Sequence, residues 1–142
     1  MTLAQFTGRL ATITPAETVE HAARTMRDRR VGCLIVTQAG HPIGIVTDRD
    51  LVLRVVAEGI DPRVVRVGEF ATYDPITVSV GDGVETAVER MRLYGIRRLP
   101  IVNDTGQVVG IVTADDLLAL LGSELGALCE GIQRPSDSTD SR

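Results

Sequence analysis

Apolar and polar positions along the chain fall into two blocks that run through the same order of periods. In the first block a β-branched run at residues 12–14 predicts a short strand. Val19, Ala22, Ala23 and Met26 then fall at i, i+3, i+4 and i+7, the apolar face of a helix, with Glu17 as a candidate N-cap or as partner of Thr14 in a capping box. Residues 33–36 and 43–46 read as two short buried strands in hairpin order around Gln38-Ala39-Gly40, and a second helix opens after Thr47 and ends near Gly59. The second block repeats the order. It has a strand at 77–79, a helix carrying Val84, Ala87, Val88 and Met91 behind a candidate N-cap at Asp82, and strands at 99–102 and 108–112. A helix after Thr113 is expected to end near Gly122.

The repetition extends to residue identity. Gly44-Ile45-Val46-Thr47-Asp48-Arg49-Asp50-Leu51 recurs as Gly110-Ile111-Val112-Thr113-Ala114-Asp115-Asp116-Leu117, identical at six of eight positions and offset by 66 residues. The helix blocks match at an offset of 65, and the extra residue falls in the turn Asn103-Asp104-Thr105-Gly106. Phe6 and Thr12 face Phe70 and Thr77 in the same way. The chain therefore divides into a first repeat (3–60), a valine-rich packed connector (61–72), a second repeat (73–122) and a C-terminal helix with a polar, frayed tail (123–142).

A hydrophobic content of 44% over 142 residues supports a real core, and 3% aromatics means that Val, Ile, Leu and Ala build it. Platforms for stacking single-stranded bases are nearly excluded. The net charge of −4 offers no general attraction to nucleic acid or anionic membranes, and no apolar run reaches the length of a membrane span. A cytoplasmic protein with neither nucleic-acid nor membrane partner is the expectation. Cys33 and Cys129 lack a CxxC spacing and read as buried or idle thiols. Nothing resembles an active site: HExxH, GxSxG and a Walker phosphate loop are missing, and His21 and His41 read as surface histidines.

The chemistry with most promise lies at the strand-to-helix junction that occurs twice. A helix N-terminus presents unpaired N–H groups that attract phosphate, and the hydroxyl of Thr47 or Thr113 adds a hydrogen bond. Asp50 or Asp116, one turn on, is an acceptor-only group matched to the two hydroxyls of a ribose. The same Thr-x-x-Asp pattern is close to a capping box, so cap and ligand site both remain open readings. Arg49 beside Asp50, against Asp115 beside Asp116, predicts that the first junction favours polyphosphate. The second would favour a neutral nucleoside or a metal-bridged nucleotide, unless Arg97 and Arg98 reverse the order.

These residues resemble the tandem cystathionine beta-synthase (CBS) domain pair, or Bateman module, over nearly the whole chain. The likeness rests on the Thr-containing strand, the Ala- and Met-bearing helix, both Gly-h-h-Thr-x-x-Asp stretches and Arg97-Arg98-Leu99-Pro100-Ile101-Val102; the first repeat has Gly32-Cys33-Leu34-Ile35-Val36-Thr37 at that last place. The resemblance implies an α+β fold of two βαββα repeats related by a pseudo-two-fold axis, with two ligand clefts between them and homodimerisation. It implies an adenosyl ligand (AMP, ADP, ATP, S-adenosylmethionine or NAD), with or without magnesium, and a regulated protein partner rather than catalysis. Asp50 and Asp116 would hold ribose, Thr47 and Thr113 the phosphate side, Thr12 and Thr77 the strand near the base, and Arg97 or Arg98 phosphate. The rival expectation is a constitutive interaction or stress-response protein whose junctions are caps only.

Overall fold

The computed structural model describes residues 1–8 and 10–133, so the expected polar tail lies outside the described residues. The first repeat runs β1 (Thr12–Ile13), α1 (Val19–Arg29), β2 (Cys33–Gln38), β3 (His41–Thr47) and α2 (Asp48–Leu51), which widens into a π-turn over Val52–Val56. After β4 (Thr72–Tyr73) the second repeat runs β5 (Val78–Ser79), α3 (Val84–Tyr94), β6 (Arg98–Val102), β7 (Val108–Thr113) and α4 (Ala114–Gln133). The α+β architecture of two matching repeats is thus as the periodicity predicts, with β1-β2-β3-β4 in one sheet and β5-β6-β7 in the other. Each repeat joins a parallel pair, β1/β2 or β5/β6, to an antiparallel hairpin, β2/β3 or β6/β7.

Three local expectations are corrected. The N-cap of α1 is Thr18, whose hydroxyl accepts from the His21 N–H at 3.1 Å, because Glu17 is held one step earlier in a turn by its N–H bond to Thr14 O. α3 starts after Gly83, and the carboxylate of Asp82 accepts from the Ser79 N–H at 2.9 Å instead of capping the helix. α4 does not stop at Gly122. Gly59 takes a left-handed φ of 68° and ends its helix with an Ile60 N–H bond to Val55 O, whereas Gly122 has no positive φ and Leu121, Leu125, Leu128 and Ile132 continue the helical stripe.

The two repeats exchange their leading segments. Leu3 and Phe6 are buried in the core of the second repeat with Val78, Ala87, Leu99, Ile101 and Val112. Val67 and Ala71, which precede the second repeat, are buried in the core of the first with Ile13, Ala22, Leu34, Val36 and Val46. Backbone bonds fix both crossings: Leu3 N–H to Asp82 O and Gly8 N–H to Val109 O on one side, Val67 N–H to Glu17 O and Val19 N–H to Val65 O on the other. The glycine of each repeated motif is where the partner segment crosses. A Cβ at Gly44 would stand 2.9 Å from Thr72 O, and one at Gly110 would stand 2.6 Å from Phe6 O. Among the described residues no helix is long and apolar enough to cross a membrane.

Candidate functional site

The β2/β3 register sets Cys33 opposite Thr47, and the β6/β7 register sets Arg98 opposite Thr113, so each hairpin delivers its threonine to a helix start beside the first residue of the facing strand. At both starts the threonine and aspartate bond reciprocally. Thr47 Oγ1 accepts from Asp50 N–H at 3.1 Å while Asp50 Oδ2 accepts from Thr47 N–H at 2.9 Å. Thr113 Oγ1 accepts from Asp116 N–H at 3.1 Å, and Asp116 Oδ2 accepts from Thr113 N–H at 3.0 Å. Both are capping boxes, and the short aspartate serves where Glu is usual. The cap reading of Thr-x-x-Asp is therefore physically realised twice.

Of the two junctions, the second faces the more enclosed of the two main clefts among the described residues, of about 430 Å³. Thr113 and Asp116 of the second repeat meet Arg29, Arg30 and Cys33 of the first there, with Arg98 between them. Its apolar wall comes from Leu10, Ala11, Ile35 and Ile111. The chemical character is amphipathic: an apolar surface suited to a flat heterocycle, a threonine and a carboxylate at a helix start, and three guanidinium groups. None of those three arginines is in an ion pair with a described residue. Arg29 donates to Leu10 O at 2.7 Å, which ties the end of α1 to the segment entering β1.

The remaining predicted residues lie elsewhere. Thr47 and Asp50 are half-buried at α2 and line neither this cleft nor the more open one of about 680 Å³. Thr77 lines that open cleft with His41, Tyr73, Asp74 and Val102, and its carbonyl accepts from Arg90. Thr12 is exposed on β1 opposite Ile35, and its neighbours Leu10 and Ala11 reach the enclosed cleft instead. Arg97 pairs with Asp115 at 3.3 Å, both largely exposed. The structure thus brings Arg98, Thr113 and Asp116 together and leaves Thr12, Thr47, Asp50, Thr77 and Arg97 outside the enclosed cleft. The expected ordering of the two junctions was drawn from Arg49 and Asp115 alone, and neither of them lines the enclosed cleft. Two of the cations that line the cleft with Asp116, Arg29 and Arg30, come from the other repeat, which neighbours in sequence do not show.

Cys33 is the titratable group of the cleft with a displaced pKa: burial pushes the thiol up, and the nearby Arg98 guanidinium pulls it partly back. Among the described residues no cluster of His, Cys, Asp and Glu has the makings of a metal site. His21 lies 3.6 Å from Glu17, and His41 Nδ1 is 3.0 Å from Gly106 O, so both are engaged on the surface.

Sequence reasoning missed Arg29 and Arg30. In the sequence they are helix-end cations, an ordinary dipole arrangement. One signal was present. Arg30 sits in the left-handed region (φ 54°, ψ 46°) where α3 has Gly95 (φ 63°), and both helices close with the same bond from the next N–H, Val31 to Met26 O and Ile96 to Met91 O.

A family model described as the CBS domain matches residues 6–57 and again 67–123. An uncharacterized protein of Methanopyrus kandleri is 44% identical over 105 residues, covering 73% of this chain and 54% of that protein, so the chain spans about half of that relative. The CBS domain-containing protein YhcV of Bacillus subtilis is 37% identical over 111 residues, 78% of each chain. Among solved structures, a CBS domain protein from Pyrobaculum aerophilum complexed with AMP superposes with a TM-score of 0.74 at 27% identity, covering 87% of this chain and 99% of that one. The duplicated hairpin-and-helix order, the twice-matched family model and these likenesses agree, and the chain belongs to the CBS domain family, as a pair of CBS domains.

Proposed function

We propose that this chain is a non-catalytic regulatory module that binds an adenosyl ligand in the cleft of Thr113 and Asp116 and signals its occupancy to a partner protein. The observation that carries the reading is that one cleft collects a helix start with its Thr/Asp pair, an apolar wall and three arginines from two different repeats. The AMP complex of the Pyrobaculum aerophilum relative supports the ligand class. Asp116 accepts from the ribose, Thr113 and the start of α4 face the phosphate side, and the Ala11, Ile35 and Ile111 wall takes the base. Because the walls belong to different repeats, a ligand that fits one relative setting of the repeats better than another shifts the population by that difference in affinity.

Self-association is part of the proposal. Leu118, Leu121, Leu125, Leu128 and Ile132 form an exposed stripe along α4 at alternating spacings of three and four, the pattern that a helix of a second copy buries. Sedimentation velocity should give a homodimer that Leu125→Glu dissociates.

Thermal unfolding with AMP, ADP, ATP, S-adenosylmethionine and NAD, each with and without Mg²⁺, tests the ligand. A ligand at 100 times its Kd adds about 2.7 kcal/mol to stability. Asp116→Ala should abolish the shift, while Asp50→Ala, which removes an equivalent cap, should retain it. A second reading, an interaction protein whose junctions are caps only, is favoured by the complete pairing of both Thr/Asp boxes. Absence of any shift at millimolar ligand would make it the better one.

A further inference from the structure

We propose that the enclosed cleft selects nucleoside polyphosphates over monophosphates and over cationic adenosyl compounds, and that Arg30 is a specificity-determining residue for that choice. The inference rests on the adenosyl reading of the cleft for its base and ribose and on separate observations for its phosphate end.

The first observation is the charge of the lining. Among the described residues that line the cavity, Arg29, Arg30 and Arg98 stand with one carboxylate, Asp116. A monophosphate occupies the share of one or two guanidinium groups, whereas a di- or triphosphate uses all three. A sulfonium ligand such as S-adenosylmethionine brings positive charge into the same field.

The second observation is the conformation of Arg30. Its backbone is left-handed at φ 54°, a setting that disfavours residues with a Cβ, and the matching helix end of the second repeat uses glycine at φ 63°. The first repeat thus keeps a long cation at a position where the same fold uses glycine 65 residues later, and that cation lines the cleft. The matching pair for Arg29 and Arg30 is Tyr94 and Gly95, and Arg97, which matches Gly32, is paired with Asp115. Arg29, Arg30 and Arg98, in no ion pair with a described residue, therefore gather at one of the two clefts, and the polyphosphate preference belongs to the Asp116 cleft.

Calorimetric titration of the full chain with AMP, ADP, ATP and inorganic tripolyphosphate, in EDTA, reads the proposal directly. ATP should bind at least about 30-fold tighter than AMP, and S-adenosylmethionine weaker than ATP. Arg30→Gly suits the left-handed backbone and keeps the helix end, so it should cost about tenfold in ATP and tripolyphosphate affinity while AMP changes less than about twofold. Arg98→Gln should act in the same direction. Equal affinity for ATP and AMP, or an Arg30→Gly variant with an unchanged ATP-to-AMP ratio, overturns this inference and leaves adenosyl binding standing. Tripolyphosphate binding that Arg30→Gly weakens, with no response to any adenosine compound, overturns the adenosyl reading and retains the phosphate end. No binding by any of these probes overturns both.

Discussion

The two strand-to-helix junctions share six residues in eight and the same reciprocal Thr/Asp bonds, yet they open onto different surroundings. Thr113 and Asp116 look into a cleft that borrows Arg29, Arg30 and Cys33 from the first repeat, while Thr47 and Asp50 line neither of the two main clefts. A repeated motif therefore sets a local fold, here a capped helix start, and the function of that start depends on what the other repeat brings to it. The difference in surroundings goes with small differences between the repeats: Arg30 against Gly95, Arg29 against Tyr94, and α2 loosening into a π-turn where α4 continues to Gln133.

The largest expected effect tests the exchange of leading segments. Gly110→Ala drives a Cβ to 2.6 Å from Phe6 O, and Gly44→Ala drives one to 2.9 Å from Thr72 O; both contacts are with backbone, which yields little. Urea unfolding should show losses of about 3 kcal/mol for Gly110→Ala and about 2 kcal/mol for Gly44→Ala. If both variants are as stable as the parent, the segments do not cross as described.

Next in size is the cap itself. Asp50→Ala and Asp116→Ala each leave a threonine N–H without its carboxylate partner and should cost about 1 kcal/mol apiece in ligand-free protein. Equal losses without ligand, beside unequal losses of nucleotide affinity, would separate the structural role that the two aspartates share from the binding role proposed for one. A far larger unliganded loss at Asp116 would show that its carboxylate has a structural role beyond the cap.

A smaller, opposite effect is expected at the helix ends. Arg30→Gly relieves a left-handed backbone and should raise stability by about 0.5 kcal/mol, while Gly95→Arg should lower it by about 1 kcal/mol. The pair of thermal midpoints measures both; a Gly95→Arg variant as stable as the parent would mean that Arg30 carries no backbone cost.

The smallest effect is kinetic. Burial raises the Cys33 pKa, so near pH 8 less of it is thiolate than of an ordinary thiol, and in a Cys129→Ser background iodoacetamide should alkylate it slowly, faster as pH rises. Arg98 lowers that pKa, so Arg98→Ala should slow alkylation further, as should a bound polyphosphate that neutralises the guanidinium. Acceleration in either case would place Arg98 away from the thiol.

Much of this molecule was legible in its sequence. Apolar period and the 65- to 66-residue repeat determined the two βαββα units, and the hairpin positions and the Thr/Asp boxes follow from contacts within a few residues, which composition and spacing encode directly. Helix ends were less so: Glu17 and Thr18 both suit an N-cap, and Gly122 allows a helix to continue as well as to stop. Only the tertiary structure decided that Leu3 and Phe6 belong to the second core, that Gly44 and Gly110 make room for crossing backbone, and that Arg29 and Arg30 stand at the Asp116 cleft. The physical reason is range. Periodicity and capping are written in neighbouring residues, whereas a cleft between repeats joins groups more than eighty residues apart in the chain, Arg29 with Asp116, and no local pattern records which of two equivalent junctions they will face.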